Sequence, residues 1–128
     1  MTLIPQEINQ IGTQIIGAAI QVHKTLGPGL LERIYEVCLA HELRKINLKV
    51  ERQLYLPIVY DGITFEEGLR LDLLVEGKVI CELKAVEKMN DLWKAQLISH
   101  LKLTNNRLGY LINFNVPVLR QGITRIVN

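Results

Sequence analysis

The tightest constraint on how this chain folds lies between Leu69 and Ala85. Leu69, Leu71, Leu73 and Val75 are apolar, while Arg70, Asp72 and Glu76 are not. After Gly77 the alternation resumes, with Val79, Cys81, Leu83 and Ala85 apolar and Glu82 and Lys84 between them. Successive side chains of a strand point to opposite faces, so each run reads as a strand with one buried face. Burying both runs together requires odd-numbered residues to share a face across the hairpin, because a one-residue slip would turn one set into solvent. That demands an odd-length loop, such as the three residues Glu76-Gly77-Lys78, with Gly77 free to take positive φ. Asp72, Glu82 and Lys84 then fall together on the other face.

Two carboxylates and an ammonium on one sheet face have a chemical use. Carboxylate oxygens are the ligands that a hard divalent ion such as Mg²⁺ prefers, and the ion keeps several waters while touching a phosphate. A nearby lysine can orient such a water or stabilise developing charge. The plainer account is a surface hairpin whose Glu82 and Lys84 merely pair with each other. Against it stand the strongly apolar flanks of the segment VICELKAV and the third charged group, Asp72, that the register forces onto the same face.

The remaining elements follow from periodicity. Ile8, Ile11, Ile15, Ala19, Val22 and Leu26 recur at steps of three and four, predicting a helix that Gly27-Pro28-Gly29 ends. A second helix is expected from about Leu30 to Lys45. Val50 to Tyr60 is rich in strand formers, and Asp61-Gly62 is a hairpin turn into Ile63 to Phe65. After the central hairpin a helix begins at Asn90 or Asp91 as N-cap and closes at Asn105-Asn106. Leu108 to Phe114 and Ile123 to Val127 read as further strands. Helix, helix, three or four strands, helix, strand, strand is the order of an α/β sandwich with a mixed sheet.

With 128 residues, 48% of them apolar and 22% charged, the chain has the size and balance of one ordered domain spanning 1–128. A net charge of +2 permits a nucleic-acid partner without arguing for one, since affinity for phosphate backbones needs clustered cations. Cys38 and Cys81 lie in apolar stretches without C-x-x-C spacing, so both are expected to be buried, reduced thiols. No apolar run approaches the roughly 20 residues that span a bilayer. Met1 to Gln10 carries Pro5, Gln6 and Glu7 where an export signal has a basic stretch. A soluble, cytoplasmic protein with no membrane partner is the expectation.

Asp72 followed ten residues on by Glu82-Leu83-Lys84 resembles the D…E-x-K core of the PD-(D/E)XK nuclease superfamily. Gly29-Leu30-Leu31-Glu32-Arg33-Ile34-Tyr35 matches the G-x-x-E-x-x-Y signature of a small bacterial family placed in that superfamily. The segments GLRLDLLVEGKVICELKAVE and QLISHLKLTNNRLGYLINFN extend the likeness over nearly the whole chain. The resemblance implies a restriction-endonuclease-like mixed sheet flanked by helices, with two helices at the N-terminus. It implies a metal-dependent nuclease hydrolysing phosphodiester bonds, with Asp72 and Glu82 as ligands for Mg²⁺, Mn²⁺ able to substitute, and Lys84 as the catalytic lysine. It also assigns Glu32 as an additional acid and Gln96 as a polar supporter of Lys84 or of the phosphate. Tyr35 and His100 become possible supports; the family has an aromatic residue, usually Tyr, where this chain has His100. The plainer accounts are an acid favoured by the helix dipole for Glu32 and core packing with a satisfied hydroxyl for Tyr35.

His23, His41 and His100 show no metal-ligand spacing and read as ordinary helix residues. Ser99 beside His100 is no nucleophile pair, because adjacent helix residues face different directions. Lys94, Lys102 and Arg107 are either a basic rim or a solvated face. Two other function classes fit the same residues: a non-catalytic module binding nucleic acid or protein on a nuclease fold, and a structural homo-oligomer using the charged hairpin face as an interface. A chain this small carries no separate recognition domain, so specificity would come from a homodimer or a partner.

Overall fold

The computed structural model describes residues 3–128. Helices α1 (Gln6–Leu26) and α2 (Glu32–Lys45) precede the strands β1 (Val50–Tyr60), β2 (Ile63–Val75) and β3 (Val79–Lys84). Helix α3 (Asp91–Thr104), β4 (Leu108–Asn113), a 3₁₀ turn (Leu119–Gly122) and β5 (Ile123–Val127) complete the order. The five strands form one sheet in the order β1-β2-β3-β4-β5, antiparallel except for the parallel β3–β4 pair that α3 connects. This is the mixed sheet flanked by helices that the sequence leads one to expect.

Two apolar layers hold the sheet. On one face Ile11, Ile15, Ala19 and Val22 of α1 and Tyr35, Leu39 and Leu43 of α2 pack on Val79, Cys81 and Leu83. On the other, Leu97 and Leu101 of α3 pack on Leu74, Ile80 and Leu111. The odd residues of β3 therefore face α1 and α2, and its even residues face α3. Helix α1 lies very close to β4 at Gly12, where a Cβ would run into the Tyr110 hydroxyl and Leu108. Helix α3 opens on Asn90, whose side chain accepts from Leu92 N at 2.9 Å, and closes on Asn105 in the left-handed region, φ 57°.

The hairpin register is the one required, with Val75 opposite Val79 and Leu73 opposite Cys81 across a three-residue loop. Both Glu76 and Gly77 take positive φ there. Two expectations need correction. Ile63 to Phe65 is not a separate strand, since β2 runs unbroken from Ile63 through Val75. The odd-numbered face also fails to extend through the whole of β2. Leu73 and Val75 lie under α1 and α2, but Leu69 and Leu71 pack in the α3 layer. The change falls at Asp72 and its partner position on β1. Arg52, opposite Leu73, reaches α2, whereas Leu54, opposite Leu71, packs with the α3 layer. Gln53 between them has φ 50°, and a left-handed residue inside a strand turns its neighbours off the regular alternation. Beyond this point β1 and β2 continue as a two-stranded arm whose end exposes Val59, Tyr60, Ile63 and Phe65. Cys81 is buried as expected, and Cys38 is only partly covered.

The α1–β4 contact gives a paired test. Gly12→Ala should push α1 off Tyr110 and destabilise by about 1–3 kcal/mol. Gly17 lies on the same helix, and a Cβ there would have no neighbour within 4 Å. Gly17→Ala should therefore gain up to about 1 kcal/mol from helix propensity. Urea unfolding of both variants measures the difference. Equal effects would mean the close approach at Gly12 is not maintained.

Candidate active site

The β2–β3 ladder ends at Leu73 and Cys81, and there Asp72 takes over from the backbone. Its Oδ2 accepts the Leu83 N–H at 2.9 Å, satisfying an amide that no longer has a carbonyl opposite. Asp72 is 2% exposed. Its other oxygen, Oδ1, is buried and accepts no hydrogen bond among the described residues. Arg70 Nη2 stands 3.4 Å from it, within ion-pair range but outside hydrogen-bond geometry.

Glu82 lies on the α3 face of β3, 13% exposed, with Oε1 3.3 Å from His100 Nδ1. Burial pushes its carboxyl up to about 7; the His100 bond opposes the rise and the Asp72 charge adds to it. Two acids side by side in a poorly solvated place resist ionising together. Lys84, two residues on and on the same face, holds its ammonium 4.4 Å above the Trp93 ring of α3. Glu32, the first residue of α2, approaches from the opposite layer. Burial raises its pKa first and the Asp72 charge second, while Lys84 and Arg70 lower it. Its carboxyl therefore shares one electrostatic neighbourhood with Asp72, Lys84 and Arg70.

Asp72 and Glu82 thus neighbour each other with His100 on Glu82, Lys84 shares the face of Glu82, and Glu32 lies within electrostatic range of Asp72 and Lys84. Gln96 is exposed on α3 and makes no hydrogen bond among the described residues. It lines a groove with Trp93, Ser99 and His100 that faces Ile58, Gly68 and Leu69 of the arm. Tyr35 is elsewhere. Its ring is fully buried and stacks on Phe114 at 4.5 Å. Its hydroxyl donates to Gly27 O at 2.6 Å and accepts from Leu30 N at 3.1 Å. It pins the α1–α2 loop, with its one donor hydrogen spent on Gly27 O.

Sequence reasoning missed a polar chain leading into the site. Buried Glu36 accepts from Arg52 at 2.9 and 3.2 Å and from Gln53 Nε2 at 2.6 Å. Gln53 Oε1 accepts from Arg70 Nη1, and Arg70 faces Asp72. The spacing of Arg70 and Asp72 on one strand hinted at their pairing; nothing in the sequence signalled Glu36 or Gln53. The place of Trp93 beneath Lys84 was also not foreseen, since its position on the helix reads equally well as core.

No group of three or more His, Cys, Asp and Glu side chains among the described residues is gathered to hold an ion. Mg²⁺ needs only one or two carboxylates when waters and a phosphate complete its octahedron. The buried Oδ1 of Asp72 beside the Glu82 carboxyl fits that requirement. A family profile described as the PD-(D/E)XK nuclease superfamily matches residues 9–126. Comparison with curated proteins and with solved structures found no match. No helix among the described residues is long and apolar enough to cross a membrane.

Glu82 supplies a stability test. Its folded pKa, about 7, lies above the ordinary 4.5, so the native state holds the proton more tightly than the unfolded chain. The resulting stabilisation is full below pH 4.5 and is lost as pH rises through 7. It amounts to roughly 2–4 kcal/mol. Glu82→Gln, which cannot ionise, should match wild type at low pH and become the more stable protein near pH 7.5. Urea unfolding across that range measures the gap; a constant gap would mean that Glu82 ionises without penalty.

Proposed function

Because the chain belongs to the PD-(D/E)XK nuclease superfamily, we propose that it is a metal-dependent phosphodiesterase acting on nucleic acid. The observation that carries this reading is Asp72 Oδ1, a buried carboxylate oxygen without a hydrogen bond beside a second buried acid. Such an atom is costly in a folded protein and is retained where a ligand completes it.

In this reading Asp72 and Glu82 hold Mg²⁺ or Mn²⁺, which supplies an acidified water and offsets charge on the phosphate. The remaining work falls to the chain. Leu83 N–H fixes the Asp72 carboxylate through Oδ2 and leaves Oδ1 facing the site. His100 holds Glu82 Oε1, a task its polar ring can perform in place of the aromatic residue usual in the family. Trp93 restrains the Lys84 ammonium, so the cation is in place before charge develops on the phosphate. Glu32, with its pKa raised by desolvation and by Asp72, is suited to pass or hold a proton from the α2 side. Gln96, exposed at the groove, can donate to a phosphate oxygen.

Removing Lys84 should act on the transition state rather than on binding. Lys84→Ala should lower turnover by about 10²–10³-fold while nucleic-acid affinity stays within a few-fold. Asp72→Asn should abolish the rise in melting temperature that Mg²⁺ or Mn²⁺ gives the wild type. The assay is cleavage of single- and double-stranded DNA and RNA with each metal. Well-folded wild type that cleaves none of them, with Lys84→Ala simply binding more weakly, would leave a recognition module and end the nuclease reading.

A further inference from the structure

Arg70 has no role in the mechanism above, yet Glu36 and Gln53 are arranged to hold it. Glu36 is 3% exposed, and as a carboxylate it can only accept. Its bond from Gln53 Nε2 settles which way the Gln53 amide points. With the NH₂ on Glu36, the carbonyl oxygen must face the other way, and there it accepts from Arg70 Nη1. Gln53 does this from φ 50°, a conformation that side-chain-bearing residues keep only where the surroundings over-determine it. A structural ion pair is a poor reason for such an arrangement. The Arg70 side chain is 45% exposed although Asp72 is buried, and at 3.4 Å the pairing lacks hydrogen-bond geometry.

The open side of the guanidinium is the informative one. Arg70 has five N–H donors in a fixed fork. Gln53 engages one of them, and the Asp72 pairing is loose at 3.4 Å. The fork lies in the electrostatic neighbourhood that Glu32 shares with Asp72 and Lys84. A divalent ion on Asp72 Oδ1 would compete directly with Arg70 for that oxygen, and the two cations repel. The tether to Gln53 keeps the displaced guanidinium beside Asp72, where the geometry of a phosphate on the bound ion matches its fork.

We propose that Arg70 binds a backbone phosphate of the nucleic acid, presented by the Glu36–Gln53 pair and standing in as counter-ion to Asp72 until a divalent ion arrives. The assignment rests on the nuclease-site reading. Arg70 is then a binding residue, and Gln53 is a positioning residue that acts through it.

The test uses the full chain in a Lys84→Ala background, so that oligonucleotide stays uncleaved, with Mg²⁺ present and salt varied. Adding Arg70→Ala should weaken oligonucleotide binding about tenfold and lower the slope of log affinity against log salt by about 0.7–0.9. Arg70→Lys keeps the charge without the fork, so affinity falls several-fold and the slope is retained. Gln53→Ala should do likewise, because the charge remains and only its aim is lost. Mg²⁺ binding without oligonucleotide, followed by melting temperature, should be unchanged or tighter in Arg70→Ala. A purely structural Arg70 would lower the melting temperature and leave the salt slope alone, and that result overturns the proposal. If Lys84→Ala binds oligonucleotide and Arg70→Ala changes neither affinity nor slope, this assignment falls alone. If neither Lys84→Ala nor wild type binds any oligonucleotide, the nuclease-site reading falls with it.

Discussion

The hydrogen bond from Leu83 N–H to Asp72 Oδ2, 2.9 Å long, is the joint on which this molecule turns. Where β2 leaves β3, an amide in the middle of the sheet loses its carbonyl partner, and a buried unpaired N–H costs about 1–3 kcal/mol. The Asp72 carboxylate replaces that carbonyl. One side chain thereby closes the ladder and frees β2 to run on into the arm, while its second oxygen is buried without a hydrogen bond among the described residues. Structure and chemistry share a residue here, so the acid cannot drift from its position without exposing the sheet beneath it.

The same joint explains the electrostatic character of the site. Asp72 and Glu82 stand together on the α3 side of a sheet whose other face is packed with apolar side chains. Burial and the neighbouring Asp72 push the Glu82 carboxyl up, and only the His100 contact opposes the rise; Lys84, Arg70 and His100 are the basic groups around the pair. Each of the three is itself restrained, by Trp93, Gln53 and Glu82 respectively.

The arm sets the limits of the groove. Because β1 and β2 change faces at Gln53 and Asp72, Leu69 and Ile58 come to lie opposite Trp93, Gln96 and His100. Had β2 kept its alternation, Leu69 and Leu71 would have packed under α2 and the groove would have had one wall. The positive φ at Gln53 makes that turn, and the placement of Arg70 follows from it.

The sequence by itself determined what depends on neighbours along the chain. Period-two alternation and an odd loop set the register of the β2–β3 hairpin and the shared face of Glu82 and Lys84, because a tight hairpin admits few alternatives. Helical periodicity and the Asn90 and Asn105 caps placed α3. Only the tertiary structure decided that Leu69 and Leu71 belong to the other layer, since a change of face at one left-handed residue leaves the apolar pattern unaltered. It alone placed His100 on Glu82, Glu36 on Gln53, and the Tyr35 hydroxyl against the α1–α2 loop. Polar contacts between elements depend on how two surfaces rotate against each other. That rotation is fixed by the packing of both apolar layers at once, and no local pattern encodes it.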